Sequence, residues 1–181
     1  MSGVSVPLCK PSIRPHEIEA VSEVLASGWL AHGECNHKFE ALFAETIGVP
    51  HAISMNSCTS ALEVALEVAG IRGEVVCPSF TWVATANAIA NVGATPVFCE
   101  VDPETRNATA ATIEACLTDR TEAVMPVHYG GQPCDMEAIH ALCARKGLFL
   151  IEDSAETIGA TWNGRPAGSF AVGAFSFFPT K

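Results

Sequence analysis

Residues 74–101, EVVCPSFTWVATANAIANVGATPVFCEV, contain the pattern from which the architecture of this chain follows. The first five residues are apolar apart from the leading glutamate, which predicts a buried strand. TWVATANAIANVG is rich in alanine and ends at Gly93, which predicts a helix with a glycine stop. TPVFCEV then predicts a second strand. The stretch therefore predicts a strand, a helix and a second strand in succession.

The same stretch has no charged residue between Val75 and Cys99, and a run of that length is long enough to span a bilayer. Pro78, Gly93 and Pro96 interrupt it, however, and divide it into short elements. We therefore interpret it as buried core and predict no membrane association.

The rest of the chain continues the alternation of strands and helices. Apolar spacing of helical period and glycine stops predict five further helices before the last two strands, and extended apolar runs predict the strands. The predicted helices are 15–28, 37–48, 59–70, 109–118 and 135–147, and the predicted strands are 51–55, 122–127, 148–153 and 172–178. Asn163-Gly164 predicts a β-hairpin between the last two strands.

Strands that alternate with helices indicate an α/β fold with a mostly parallel sheet flanked by helices. Such sheets bind ligands at the carboxyl ends of their strands, so the residues that follow each strand are the first candidates for a functional site. No repeat, low-complexity linker or composition change marks a domain boundary within the 181 residues.

Composition and charge exclude several classes of protein. Hydrophobic residues make up 49% of the chain and charged residues 17%, which indicates a packed globular protein. The net charge is −10 and the ten basic residues are scattered, which argues against nucleic-acid binding. None of the eight cysteines forms a Cys-x-x-Cys pair, so no metal site is predicted. The first fifteen residues lack a signal-peptide pattern, which favours a reduced, cytoplasmic protein.

Two strand ends carry candidate ligand-binding groups. NSCTSAL follows the strand predicted at 51–55, and its Ser57 and Thr59 suit either plain helix capping or an anion site made of free helix amides. PSFTW follows the next strand, and its Trp82 suits either core packing or a flat surface for a flat ligand.

Three further strand ends carry ionisable groups. His128 follows the strand at 122–127 and has either a structural or a catalytic role. Asp153 ends the strand at 148–153, and a carboxylate there either caps the next turn or pairs with a cationic ring nitrogen. Lys181 follows the last strand, and a lysine in a cleft can form a Schiff base with an aldehyde.

Together these residues supply a phosphate seat, a stacking surface, a carboxylate for a protonated pyridine and an amine for an aldehyde. That set of groups matches pyridoxal 5′-phosphate, whose electron sink requires a protonated ring nitrogen.

Several motifs in the same order resemble the sugar aminotransferases of the DegT/DnrJ/EryC1/StrS family, which have the aspartate-aminotransferase-like fold. The motifs are GWLAHG, NSCTSAL, PSFTWVATANAI, GATPVFCEVDPET, PVHYGGQPCDM, IEDSAETIGA and GSFAVGAFSFFPTK, and they run through nearly the whole chain.

The resemblance implies a role for each matching position. Lys181 matches the lysine that forms the Schiff base with pyridoxal 5′-phosphate and moves the proton, and Asp153 matches the partner of the pyridine nitrogen. Trp82 matches the aromatic residue that stacks on the ring. The remaining matches are Cys58, Thr59 and Ser60 in the phosphate turn, Ser176, which adds a hydroxyl to the phosphate, and Glu156 near the cofactor's 3-hydroxyl.

Two of these positions depart from the family pattern. Cys58 stands where the phosphate turn usually has glycine or alanine, which makes a tighter fit. Glu156 stands where glutamine or histidine is usual, and an ionised carboxylate would repel a phenolate oxygen. Glu156 is therefore expected either to turn towards the substrate amine or to be protonated.

The resemblance also implies an activity and an assembly. Family members transfer an amino group, commonly from glutamate, to a nucleotide-linked keto sugar, and they work as homodimers. They are about twice as long as this chain, so residues 1–181 are expected to be a partial large domain that lacks the C-terminal small domain. The alternative is a non-catalytic fragment of such an enzyme. Relatives that dehydrate sugars have histidine in place of the lysine, and Lys181 argues against that activity.

Overall fold

The computed structural model describes residues 6–7 and 9–181. Six α-helices lie in this part of the chain: α1 Pro15–Ser27, α2 Glu34–Ile47, α3 Cys58–Val68, α4 Val83–Asn91, α5 Ala110–Glu114 and α6 Met136–Lys146. The strands are β1 Glu74–Pro78, β2 Thr95–Cys99, β3 Thr121–Val124, β4 Phe149–Asp153, β5 Thr161–Trp162, β6 Arg165–Pro166 and β7 Val172–Ala174.

Five of the strands form one sheet in the order β2-β1-β3-β4-β7, and every neighbouring pair is parallel. Helices α4, α5 and α6 connect β1 to β2, β2 to β3 and β3 to β4. Because the strands are parallel, their carboxyl ends meet at one edge of the sheet. The predicted α/β fold with a parallel sheet flanked by helices is confirmed.

Strand β1 shows how the sheet sorts its side chains between two helical layers. All five of its residues are buried. Val75 and Cys77 belong to a core with residues of α3 and α4. Val76 points to a second core formed with α5 and α6. This alternation explains why β1, an interior strand of the sheet, is apolar at almost every position, since both of its faces are covered.

The two-stranded sheet of β5 and β6 is the predicted hairpin. Asn163 and Gly164 have φ angles of 48° and 81°. Two consecutive residues with positive φ are the requirement of a type I′ turn, which Asn-Gly meets at low cost. The hairpin prediction is confirmed.

Three predicted elements differ from the structure. Residues 51–55 form no strand, because no segment in the described part of the chain offers them a hydrogen-bonded neighbour. The strand predicted at 172–178 ends at Ala174, where its pairing with β4 ends. The helix predicted at 109–118 is limited to α5, because the chain turns after Glu114 towards β3.

Helix α1 forms as predicted but buries no residue completely. Its Ile18, Val21 and Leu25 side chains, which have helical spacing, are all exposed. No helix in the part of the chain that the structure describes is long and apolar enough to cross a membrane.

Candidate active site

The residues that follow β1, β4 and β7 lie at the carboxyl edge of the sheet, and the amino end of α3 lies nearby. Cys58, the first residue of α3, is half-buried against the core beneath α3. Burial and the negative charge of Asp153 raise the pKa of its thiol to about 12, while the charge of Lys181 acts in the opposite direction. Three site residues predicted from distant positions in the sequence are therefore neighbours.

Lys181 makes its contact with Glu156. Its Nζ donates to Glu156 Oε1 at 2.9 Å, and the side chain is only 24% exposed. The other carboxylate oxygen, Oε2, accepts from the Gly130 amide at 2.7 Å. Glu156 thus joins the terminal lysine to the turn at Tyr129–Gly131 that follows β3.

The environment of Glu156 favours its ionised form. Partial burial acts to raise its pKa, but the Lys181 hydrogen bond, the Gly130 amide and the Lys181 charge together lower the pKa below its ordinary value. The two states expected of Glu156 concern its behaviour beside the cofactor's 3-hydroxyl and the substrate amine, and both stay predictions.

Asp153 is the buried carboxyl group of the site. It ends β4 and is only 6% exposed. Its Oδ2 accepts from the Thr85 hydroxyl at 2.8 Å, and its Oδ1 accepts from the Ala155 amide at 3.2 Å. Burial raises the Asp153 pKa above its ordinary value, although both hydrogen bonds and the charges of His128 and Lys181 oppose the shift. A buried carboxyl group in this state gains from a cationic partner.

Trp82 lies one turn of α4 before Thr85, which bonds Asp153. The indole is 75% exposed, so core packing, the alternative weighed for this residue, does not apply. Phe80 is also exposed and packs against Tyr129, with ring centroids 4.5 Å apart. Exposed aromatic rings therefore flank the buried Asp153.

The amino end of α3 is capped by its own sequence. The Ser57 hydroxyl accepts from the Ser60 amide at 3.1 Å and donates to the Ser60 hydroxyl at 3.0 Å. The predicted capping role is therefore present. The first amides of a helix have no intrahelical acceptor, so those of Cys58 and Thr59 stay suited to an anion.

Ser176 and Lys181 are held by the packing of phenylalanine rings rather than by strand pairing. Phe177 packs on Phe39 and Phe43 of α2, with centroids 5.2 and 5.4 Å away, and Phe175 packs on Phe43 at 5.0 Å. The Ser176 hydroxyl lies between these rings in sequence and accepts from the Phe178 amide at 3.3 Å.

His128 has a structural role. Its Nδ1 accepts from the Cys134 amide at 3.1 Å, and its Nε2 lies 3.2 Å from Glu152 Oε2. Glu152 is fully buried and also accepts from the amides of Gly168, Phe170 and Ala171 at 2.7–3.0 Å. Sequence reasoning considered Asp153 at this strand end and missed Glu152, which connects the segment before β7 to β4.

The sequence from residue 11 to residue 181 matches the model of the DegT/DnrJ/EryC1/StrS aminotransferase family. The chain belongs to this family. The resemblance found in the sequence motifs is confirmed.

Individual family members show how far the likeness extends. The chain is 45% identical over 179 residues to the spore coat polysaccharide biosynthesis protein SpsC of Bacillus subtilis. It is 36% identical to DesI, solved in the presence of its TDP-sugar product, with a TM-score of 0.88. It is 29% identical to the PLP form of the sugar aminotransferase Spr1654 of Streptococcus pneumoniae, with a TM-score of 0.93.

These family members are about twice as long as the chain. The alignments cover 97%, 96% and 98% of this chain, but 46% of SpsC, 44% of DesI and 50% of Spr1654. The likeness therefore concerns about half of each relative.

Proposed function

We propose that this chain binds pyridoxal 5′-phosphate and forms the cofactor-binding part of a sugar aminotransferase. The observation that carries the proposal is the meeting of three groups at one sheet edge: the Lys181 amine on the ionised Glu156, the buried Asp153 and the amino end of α3. The chemistry of these donors fits an aldehyde, a pyridine nitrogen and a phosphate.

Each residue has a task that its position supports. Lys181 Nζ holds the cofactor and takes and returns a proton at the substrate carbon. Asp153 keeps the pyridine nitrogen protonated, since a cation beside a buried carboxyl group stabilises its charged form. When bound, the cofactor supplies an electron sink. Trp82 offers a face for the ring. The phosphate would be bound by the amides and hydroxyls of the first turn of α3 and by the hydroxyl of Ser176. The residues are Cys58, Thr59, Ser60 and Ser176.

Glu156 lies where its carboxylate can exchange a proton with the Lys181 amine. Its carboxylate accepts from Lys181 Nζ at 2.9 Å. An ammonium is not a nucleophile, so the proton has to leave Nζ before the amine can react. Glu156 is the adjacent acceptor for it.

We further propose the substrates and the setting of the reaction. The amino donor is glutamate and the acceptor is a nucleotide-linked keto sugar, in a route to amino sugars of surface polysaccharides or antibiotics. The relatives named for polysaccharide biosynthesis and for a TDP-sugar product support this class of substrate. Residues 1–181 would form part of the large domain of a cytoplasmic homodimer, without the small domain.

The direct test is cofactor capture by the purified 181-residue chain. Pyridoxal 5′-phosphate is added and reduced with borohydride, and the labelled lysine is identified by peptide mass spectrometry. Lys181 should carry the label in preference to Lys10, Lys38 and Lys146. Lys181→Arg should abolish selective labelling, and the matched variant Lys146→Arg should not. Equal labelling of all four lysines contradicts the proposal.

The alternative function, a non-catalytic fragment, is tested with the same preparation. Selective label on Lys181 without amino transfer from glutamate to a nucleotide-linked keto sugar would indicate cofactor binding in a non-catalytic chain.

A further inference from the structure

We propose that His32, His37 and Glu40 form a binding site for a divalent transition-metal ion such as Zn²⁺. The assignment does not depend on the proposed aminotransferase function. The three residues have donor atoms that all lie within 4.8 Å of one another. In the part of the chain that the structure describes, no other group of His, Cys, Asp or Glu meets the same condition.

Each histidine has a ring nitrogen at a spacing from one Glu40 oxygen that matches two ligands of a tetrahedral ion. His32 Nε2 lies 3.3 Å from Glu40 Oε1, and His37 Nδ1 lies 3.5 Å from Glu40 Oε2. Ligands bound at about 2.0–2.1 Å in a tetrahedron stand about 3.4 Å apart. Two imidazoles and a carboxylate are also a donor set that zinc accepts at sites with an open position.

Local structure brings the two histidines together. His37 and Glu40 are three residues apart on α2, so they share a face of the helix. His32 lies in the loop before α2, and its ring meets the His37 ring edge to face, with centroids 4.9 Å apart.

The loop that carries His32 is held in place. The Trp29 indole donates to the His32 carbonyl at 3.2 Å, and the Gly33 amide donates to Asn36 Oδ1 at 3.1 Å. A Cβ atom at Gly33 would collide with the Trp29 indole, so glycine is required there for close approach. The site is therefore preorganised by contacts that do not use the side chains of its three ligands.

Glu40 has the support that metal-binding carboxylates generally have. Its side chain is only 15% exposed, and Oε1 accepts from the Ser54 amide and hydroxyl at 2.7 and 2.8 Å. The histidine side chains are 51% and 69% exposed, which leaves room for a water ligand.

The competing interpretation is that these are ordinary surface contacts between histidines and a carboxylate. His16 and Glu17 provide an example on α1, with Nε2 and Oε1 3.9 Å apart and no third donor grouped with them. His16 therefore serves as a matched control. Cys35 is the second control, because it is an exposed thiol two residues before His37.

The experiment is a titration of the full 181-residue chain, kept reduced without added thiols, with Zn²⁺ by calorimetry and with Co²⁺ by visible absorption. His32→Gln and His37→Gln should each weaken binding at least about 10-fold. His16→Gln and Cys35→Ser should leave it unchanged. The Co²⁺ complex should show visible absorption bands typical of a low coordination number. It should lack the charge-transfer band that a thiolate ligand would produce. Zinc should raise the melting temperature of the wild-type chain and not that of the two site variants.

Two results overturn the proposal: unchanged zinc affinity in both His32→Gln and His37→Gln, or loss of binding in Cys35→Ser with a sulfur band in the cobalt spectrum. Both site histidines are exposed, so their variants should fold. The melting temperatures of the metal-free variants check this directly.

Discussion

Asp153 places a buried carboxyl group at the carboxyl edge of the sheet. The carboxyl group is buried at the end of β4 and has two hydrogen bonds, but none of the residues described in the structure brings a cationic group into direct contact with it. Its raised pKa means that the fold opposes ionisation. The same residue is thus a cost to the unliganded fold and, in the proposed function, the anchor of a pyridinium.

Replacing Asp153 with asparagine should stabilise the unliganded chain at neutral pH. The folded chain binds the Asp153 proton more tightly than the unfolded chain does. The contribution of the wild-type carboxyl group to the free energy of unfolding therefore falls as the pH rises above about 3.9, the ordinary pKa of aspartate. The advantage of Asp153→Asn should therefore grow from acid to neutral pH. Urea unfolding of both chains across this range measures the difference.

The same variant should bind pyridoxal 5′-phosphate more weakly, because asparagine cannot stabilise a protonated ring nitrogen by charge. Equilibrium dialysis against the cofactor provides the comparison. Equal affinity in the two chains would argue against the role proposed for Asp153, and a less stable variant would argue against the raised pKa.

Among the elements, α2 and the segment after β7 depend on each other. Phe39 and Phe43 of α2 provide the surface on which Phe175 and Phe177 pack. That packing, together with the Glu156 contact, fixes the chain that ends in Lys181.

Phe43→Ala should lower the free energy of unfolding by about 2 kcal/mol, because it removes a half-buried ring that packs on three others. It should also slow the capture of cofactor by Lys181. The neighbouring exposed residue gives the control: Leu42→Ala should change stability by less than about 0.5 kcal/mol. Urea unfolding and the rate of borohydride-trapped labelling are the two measurements.

Glu152 connects β4 to the segment that leads into β7. Glu152→Gln should destabilise the chain by about 3 kcal/mol, because an amide donor would face the backbone amides that now bond a carboxylate. Glu100→Gln, at an exposed carboxylate, should have little effect. Chemical denaturation distinguishes the two, and equal midpoints would show that the network contributes no stability.

Elements whose signals are local were predictable from the sequence. Gly93 and Gly147 follow helices and Asn163-Gly164 makes a turn, whatever the distant chain does. Residues 51–55 were mispredicted because a strand needs a neighbour, which the local pattern does not reveal. Glu152 was missed for the same reason, since its partners lie 16 to 24 residues away. His32 and Glu40 come together only through the turn into α2.

For the whole molecule, the notable feature is the uncovered apolar surface of α1 and the loop after it. Ile18, Val21, Leu25, Trp29 and Leu30 are all exposed. A soluble chain rarely leaves such a group of side chains in water.

The chain should therefore associate with itself as its concentration rises. The double variant Val21→Lys and Leu25→Lys should reduce association in sedimentation velocity without lowering the melting temperature, because neither side chain is buried. Ala20→Lys adds positive charge to the opposite face of α1 and should leave association unchanged. An effect of equal size in both variants would indicate that charge rather than apolar contact controls association.

The order of strands in the sheet also has a consequence for the rate of folding. Helix α3 contacts β7 although more than a hundred residues separate them, and β4 meets β7 only after the hairpin has been passed. Loops of this length have to close before any contact is gained. The chain should therefore fold slowly compared with helical bundles. The proposed phosphate-binding end of α3 and the amine of Lys181 come from the two ends of this long closure. Cofactor capture should consequently lag behind helix formation in a refolding experiment and report the final step of chain assembly.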